Sequence, residues 1–100
     1  MTNNINKKCI IRTEKAGVFF GTLADYDRTI RTAELHDCRR LWYWSGAASL
    51  SQLSVEGVKR PNSCKFTIAV PQIQVEGVIE TIPCSDKAIE NIESVPVWKS

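Results

Sequence analysis

Six short runs of β-branched and aromatic residues alternate with turn-forming residues along this chain. Gly, Pro and Asp separate most of the runs, which is typical of strands joined by tight turns. Turns are expected at residues 16–17 and 25–27, and Pro71 is expected to interrupt a strand. The predicted strands are residues 8–13, 18–23, 29–35, 38–44, 64–70 and 74–82.

Two further segments have apolar residues at helical spacing. Residues 47–55 predict a short helix that is capped by Ser45 and ended by Gly57. Residues 85–93 predict a second helix with Ser85 at its N-cap. The fold class is therefore expected to be mainly β (α+β): a small antiparallel sheet or partly open barrel of five to six strands, with one or two short helices. We expect a flexible tail over residues 1–6 and a single domain over residues 7–100.

Composition and charge narrow the function classes without naming one. The chain has 100 residues, 43% of them hydrophobic, and 13 basic against 11 acidic residues, a net charge of +2. A general nucleic-acid binder is usually far more basic, so nucleic acid is not an expected partner. A chain this short buries a modest core, which favours a homo-oligomer. No apolar run is long enough to span a membrane, so no membrane association is expected.

The cysteines indicate a reducing compartment. Residues 1–8 are polar and unlike a secretory signal, and no CxxC pair is present. We therefore expect free thiols in a cytosolic protein. A zinc site is not expected, because the spacing does not fit a zinc finger or ribbon. The residues that would have to form such a site are His36, Cys38, Cys64 and Cys84.

The richest chemistry lies in residues 39–49, which read RRLWYWSGAAS. Arginine pairs with phosphate and stacks on flat rings, and indole rings stack on nucleobases. A Ser-Gly pair that opens a helix would add free N–H groups for an anion. Alternation puts Cys38, Arg40, Trp42 and Trp44 on one strand face, and Arg39, Leu41 and Tyr43 on the other. The expected ligand-binding residues are Arg28, Arg31, Arg39, Arg40, Trp42, Tyr43, Trp44, Ser45 and Gly46.

The same stretch has two structural interpretations. Trp42 and Trp44 are equally suited to the core of a small β domain, with the arginines extending past them to solvent. Trp42, Tyr43 and Trp44 are also suited to anchor an oligomer interface. Arg28 and Arg31 are similarly consistent with a solvated hairpin.

Catalysis is not favoured by the residues present. His36 is the only histidine, and no GxSxG elbow, GxxxxGK[ST] loop or GxGxxG loop occurs. The carboxylates at residues 25, 27, 34 and 37 are close in sequence, but their spacing does not favour a hydrolytic pair. We expect a non-enzymatic protein without a cofactor or metal. An enzyme that degrades a nucleotide with a divalent metal is the weakest of the hypotheses.

Residues 39–53, RRLWYWSGAASLSQL, resemble a family of small phage and prophage proteins of unknown function. The segments GVFFGTL at 17–23, CKF at 64–66 and IETIPC at 79–84 fit the same family. The resemblance implies a viral or proviral origin and a place in the host bacterial cytoplasm. It brings no activity that transfers residue by residue.

The expected function combines this origin with the aromatic stretch. We expect a phage protein that acts as an oligomeric sponge and sequesters a nucleotide-derived immune signal, such as a cyclic nucleotide or an ADP-ribose derivative, to inhibit host defence. The alternative is a protein-interaction module that blocks a host defence protein directly. The link to sponges rests on an analogy of parts rather than on a shared motif.

Overall fold

The computed structural model describes residues 4–99 and consists mostly of antiparallel sheet. The elements are β1 (Lys8–Thr13), β2 (Val18–Asp27), β3 (Thr32–Tyr43), α1 (Leu50–Glu56), β4 (Lys65–Phe66), β5 (Val70–Val75), β6 (Val78–Pro83) and α2 (Asp86–Ser94), with one 3-10 turn at Pro61–Ser63. The sheet runs in the order β4-β3-β2-β1-β6, and β5 also pairs with β3. The predicted fold class is confirmed, and the sheet is open rather than closed into a barrel.

The sheet is strongly curved. Strand β5 pairs with the first half of β3 and β6 pairs with β1, yet only residues 76–77 join β5 to β6. Gly77 makes this turn at a φ of 72°. Its carbonyl accepts a hydrogen bond from the Glu14 N–H at 2.8 Å, and the Val78 N–H donates to the Arg31 carbonyl at 3.0 Å. These bonds bring the tip of the β2–β3 hairpin to the end of β1.

The buried residues form two clusters, one on each face of the sheet, because successive side chains of a strand point to opposite faces. In β1, Ile10 belongs to one cluster, and Cys9 and Ile11 belong to the other. The cluster under the helices, here called the helix-side core, contains Ile10, Phe20, Leu41, Leu53, Val58, Cys64, Phe66, Ala88, Ile92 and Val95. The cluster on the opposite face, here called the inner core, contains Cys9, Ile11, Phe19, Leu23, Ala33, Leu35, Cys38, Val75 and Val78.

The predicted turn at residues 25–27 is wrong. These residues end β2, and the reversal falls at 28–31. The carboxylate of Asp27 accepts hydrogen bonds from the N–H groups of Thr29 and Ile30, at 2.9 and 3.4 Å, so it stabilises a turn that begins after it. The two strands predicted at 29–35 and 38–44 form one strand, β3. Asp37, at a φ of 51°, introduces an irregularity within that strand instead of ending it.

The strands after residue 64 also differ from the prediction. Within the predicted strand 64–70, Lys65–Phe66 forms β4 and Val70 begins β5, while residues 67–69 are in neither strand. Gly77 splits the predicted strand 74–82 into parts of β5 and β6. Pro71 lies inside β5 instead of interrupting a strand. This position suits proline because β5 pairs only with β3, so the edge strand has backbone positions that need no N–H donor.

Helix α1 begins later than predicted. Ser49, not Ser45, is its N-cap, and the Ser49 hydroxyl accepts a hydrogen bond from the Gln52 N–H at 3.1 Å. The predicted end at Gly57 is confirmed, since its N–H donates to the Leu53 carbonyl. Helix α2 has Ser85 at its N-cap as predicted, and the Ser85 hydroxyl accepts from the Ala88 N–H at 3.0 Å.

The predicted tail, residues 1–6, is described only in its second half, and residues 1–3 lie outside the described part of the chain. Asn4 donates a side-chain hydrogen bond to the Thr81 hydroxyl at 3.3 Å. Ile5 packs against the inner core, and the Asn6 N–H donates to the Leu23 carbonyl at 2.7 Å. Residues 4–6 therefore contact the sheet.

Candidate functional site

Arg39 is a buried structural residue. Only 6% of it is exposed, and its guanidinium donates hydrogen bonds to four backbone carbonyls within 3.4 Å. Burial lowers the pKa of Arg39 from its usual value. With its donors directed at the end of β4, the end of α2 and the C-terminal segment, Arg39 holds these elements together and is not directed at a ligand. The accepting carbonyls belong to Phe66, Thr67, Ile92 and Pro96.

Arg40, in contrast, is exposed, and its guanidinium lies over the ring of Phe19 at 4.9 Å from the ring centroid. Its backbone N–H donates to the Thr67 hydroxyl at 3.0 Å, and its carbonyl accepts from the Thr67 N–H at 3.0 Å. Among residues 4–99, no carboxylate forms an ion pair with Arg40. The cation–π contact with a buried ring therefore orients a positive charge that remains open to solvent.

A small groove of about 140 Å³ opens beside Arg40. Its floor is formed by inner-core residues, and exposed Ile68 stands at its side. Pockets for small ligands usually enclose roughly 300–1,000 Å³, so this groove is suited to one ring or one apolar side chain. The lining residues are Phe19, Cys38, Arg40, Thr67, Ile68, Val70 and Ile73.

The aromatic residues at the end of β3 have different environments. Trp42 is 65% exposed and Tyr43 is 51% exposed. Trp44 is half-buried and packs against the helix-side core, whereas Cys38 belongs to the inner core. The prediction that Cys38 and Trp44 share one face is therefore wrong, because the register of β3 shifts between Leu41 and Tyr43. Trp42 and Tyr43 present their rings to solvent.

Two residues from other elements join these rings. Lys65 of β4 is the register partner of Tyr43, and its ammonium lies over the ring of Trp98 at 5.4 Å from the centroid. The Trp98 N–H donates to the Phe66 carbonyl at 2.9 Å, which places the C-terminal segment beside β4. We refer to the five side chains as the basic aromatic surface: Arg40, Trp42, Tyr43, Lys65 and Trp98.

The basic aromatic surface lies in a part of the chain that is poor in carboxylates. Residues 39–75 contain five basic residues and a single acidic one, Glu56. The ion pairs among the described residues are at other places: Lys8 with Glu93, Arg12 with Glu80, Arg31 with Glu14, and His36 with Glu34. None of them neutralises Arg40 or Lys65. The surface therefore combines exposed rings with unpaired positive charge, which favours an anionic partner.

Ser45 and Gly46 are placed differently from the prediction. The carbonyls of both residues accept hydrogen bonds from the backbone N–H groups of residues 60 and 59, and the Ser45 hydroxyl accepts from the Arg60 side chain at 2.8 Å. A Cβ at Gly46 would lie 2.6 Å from the Lys59 nitrogen, so the loop at 59–60 packs tightly on this residue. The pair does not open a helix, since α1 begins at Leu50.

Arg28 and Arg31 lie on the turn between β2 and β3. Arg31 has a φ of 54°, and its guanidinium is 3.9 Å from the Glu14 carboxylate. The turn is not one of the elements that form the basic aromatic surface. The structure thus brings together Arg40, Trp42 and Tyr43 out of the nine predicted ligand-binding residues, and places the other six elsewhere.

The thiols are free and mostly buried. Burial raises the pKa of Cys9 to about 11 and that of Cys38 and Cys84 to about 12, so all three are neutral thiols near pH 7. Within the described chain, residues 4–99, no three His, Cys, Asp or Glu side chains form a group that could hold a metal ion.

Comparison with known families matches residues 6–92 to a domain of unknown function, DUF6948. The chain belongs to this family. Comparison with curated proteins and with solved structures gives no match. No helix within residues 4–99 of the chain has the length and apolar character to cross a membrane. A domain of unknown function brings no activity to this chain.

Lys65 and Trp98 are the residues of the surface that the sequence reasoning missed. Both are distant in sequence from residues 39–49, and no local pattern connects them. One sequence signal does point to Lys65, because it is one of the five basic residues in the nearly carboxylate-free stretch 39–75. Trp98 is the third tryptophan of the chain, and only the pairing of the C-terminal segment with β4 reveals its position.

Proposed function

We propose that this protein is a non-enzymatic binding protein that captures a nucleotide-derived anion on the basic aromatic surface. One observation carries the proposal: the basic aromatic surface exposes the rings of Trp42, Tyr43 and Trp98, and its two cations, Arg40 and Lys65, have no carboxylate partner among residues 4–99. Nucleobases stack on such rings, with about 1–3 kcal/mol per base, and phosphates pair with such cations. A nucleotide uses both properties of the surface.

The proposed biological role is sequestration. In this proposal, a phage-encoded homo-oligomer holds a nucleotide immune signal in the host bacterial cytoplasm and keeps it from its receptor. The resemblance of residues 39–53 to small phage proteins supports the origin. The many large apolar side chains left exposed, among them Ile30, Val55 and Ile79, support an oligomer, because association would bury some of them.

The test is native mass spectrometry of the protein purified from bacterial cells with an active nucleotide-signalling defence and from cells without one. We expect an added mass of a few hundred daltons (about that of one nucleotide or a small oligonucleotide) only in the first sample. Arg40→Ala is expected to lose the added mass. Lys87→Ala, an exposed lysine on α2, is the matched control and should keep it. A bare protein in both samples would refute nucleotide capture.

A second candidate function is a protein-interaction module that blocks a host defence protein directly. The groove beside Arg40 supports it, because about 140 Å³ suits a single inserted side chain better than a whole small molecule. In the same experiment, one stoichiometric protein partner that is lost in Ile68→Asp would favour this function. Ile68 lines the groove and is 66% exposed, so this substitution is not expected to disturb the core.

A further inference from the structure

Tyr43, Lys65 and Trp98 form a row across three neighbouring backbone segments. Tyr43 and Lys65 are partners in the β3–β4 ladder, and paired residues of such a ladder share a face. The Lys65 ammonium lies over the Trp98 ring, which fixes the third member of the row on that face. Lys65 precedes buried Phe66, so the row points away from the helix-side core. The backbone of Lys65 therefore lies between the backbones that carry the two exposed aromatic residues.

We propose that this row binds a dinucleotide, two nucleobases joined through one phosphodiester bridge in a linear form or two in a cyclic form, an inference that rests on the proposed function and specifies its ligand class. One base stacks on Tyr43, the other stacks on Trp98, and Lys65 holds the phosphate between them. The order of groups along a dinucleotide, base, phosphate, base, matches the order ring, cation, ring along the row. Lysine suits the middle position because its flexible ammonium has three donors for phosphate oxygens.

The spacing of the row determines whether stacked or splayed bases can cover both rings. Neighbouring segments of a sheet lie about 4.8 Å apart, so the backbones that carry the two rings are roughly 10 Å apart. Stacked bases of a duplex strand are about 3.4 Å apart, too close to cover both rings. Bases splayed out from a single strand, or from a ring of two nucleotides, stack separately on protein aromatics. The row therefore favours a short linear or cyclic dinucleotide over a duplex.

Charge complementarity supports an anion at this place. Lys65 has no ion-pair partner among residues 4–99, and the stretch 39–75 around it contains Glu56 as its only carboxylate. A mononucleotide would cover one ring and leave the other exposed. A dinucleotide covers both rings and places a bridging charge at Lys65.

The experiment is isothermal titration of the full chain with four probes: adenosine monophosphate, a linear diadenosine with one 3′,5′ bridge, cyclic diadenylate, and a short DNA duplex. We expect one of the two dinucleotides to bind about tenfold or more tightly than the monophosphate, since a second stacked ring contributes. Comparison of the linear diadenosine with cyclic diadenylate shows which of the two dinucleotide forms the row prefers. The duplex is expected to bind more weakly than the better dinucleotide.

Variants locate the binding. Lys65→Gln is expected to weaken the better dinucleotide about tenfold and the monophosphate less than about threefold, while Lys87→Gln on α2 leaves both unchanged. Tyr43→Ala and Trp98→Ala are each expected to reduce the preference for the dinucleotide. All three positions are exposed, so circular dichroism should show an unchanged fold. Equal affinity for the monophosphate and the dinucleotides would refute dinucleotide binding by the row, but it would not contradict the proposed function. Absence of binding to any nucleotide, here and in native mass spectrometry, overturns both.

Discussion

The guanidinium of Arg39 lies 5.6 Å from the centroid of the Phe66 ring and also donates to the Phe66 carbonyl at 3.2 Å. Arg39 thus contacts β4 through both its charge and its flat face. Its other donors reach the carbonyls of Thr67, Ile92 and Pro96, at 2.9–3.4 Å. One side chain therefore connects β3 with β4, the end of α2 and the C-terminal segment that carries Trp98.

Arg39→Met is expected to lower the free energy of unfolding by about 3 kcal/mol, because it leaves several carbonyls without donors in a buried place. Urea denaturation followed by circular dichroism measures this change. Arg40→Met is the control: its side chain is exposed and loses only the contact with the Phe19 ring, so we expect a loss of about 1 kcal/mol or less. Equal losses for the two variants would contradict the structural role of Arg39.

The neighbouring arginines show how far sequence reasoning reaches. The class of fold follows from the runs of β-branched and aromatic residues between turn residues, strand β1 follows from its pair Ile10 and Ile11, and Ser85 follows from its capping pattern. Alternation also separates Arg39 from Arg40, but it does not tell which face a helix covers. That depends on α2, whose packing is a long-range contact. The buried role of Arg39 is therefore outside what a local pattern can predict.

The basic aromatic surface also depends on long-range contacts. Arg40, Trp42 and Tyr43 are contiguous enough to attract attention in the sequence, but Lys65 and Trp98 join them only through strand pairing. The predicted start of α1 is wrong for a related reason. Ser45 and Ser49 are both good N-cap residues, and the hydrogen bonds of residues 45–46 with the loop at 59–60 decide between them.

Gly57 and Gly17 offer a matched test of close packing. Both have a positive φ, 78° and 106°, but a Cβ at Gly57 would lie 2.3 Å from the Asn91 side-chain oxygen, whereas a Cβ at Gly17 meets nothing within 4 Å. Asn91 accepts from the Val58 N–H at 2.8 Å and donates to the Val58 carbonyl at 3.0 Å, so it cannot move without losing both bonds.

Gly57→Ala is therefore expected to cost about 2 kcal/mol more stability than Gly17→Ala. Both substitutions carry the strain of an alanine at positive φ, about 1–3 kcal/mol, which the comparison removes. Thermal and urea unfolding of the two variants measure the difference. Similar values for both would show that Asn91 moves aside at little cost.

The buried thiols predict a loss of stability in alkaline solution. In the unfolded chain a cysteine loses its proton around its ordinary pKa of 9.0, whereas burial raises the pKa of Cys9 to about 11 and that of Cys38 and Cys84 to about 12. Between these values the folded state binds more protons than the unfolded state. The stabilisation from the thiols is therefore fully present below about pH 9, and the free energy of unfolding falls as the pH rises from 9 towards 12.

Urea midpoints at about pH 7, 9 and 10.5 test this direction. We expect the midpoint to fall between the last two values, and Cys84→Ala to fall less steeply because one of the three thiols is gone. The remaining side chains are the same in both proteins, so the difference between the two curves reports on Cys84. Parallel curves for the two proteins would show that Cys84 does not contribute.

Substitutions of Trp42 and Trp44 are expected to affect different properties, binding for Trp42 and stability for Trp44. Trp42 is 65% exposed, and Trp44 is half-buried against the helix-side core. Trp42→Ala is expected to change the free energy of unfolding by no more than about 0.5 kcal/mol and to weaken nucleotide binding about tenfold, because a stacking ring is lost.

Trp44→Ala is expected to cost about 2 kcal/mol of stability, because it removes packing from the core. At a temperature where both variants are folded, Trp44→Ala should retain its affinity. Urea denaturation measures stability, and titration with the best nucleotide probe measures affinity. If Trp42→Ala loses stability but keeps its affinity, the ring of Trp42 belongs to the fold and not to the binding surface.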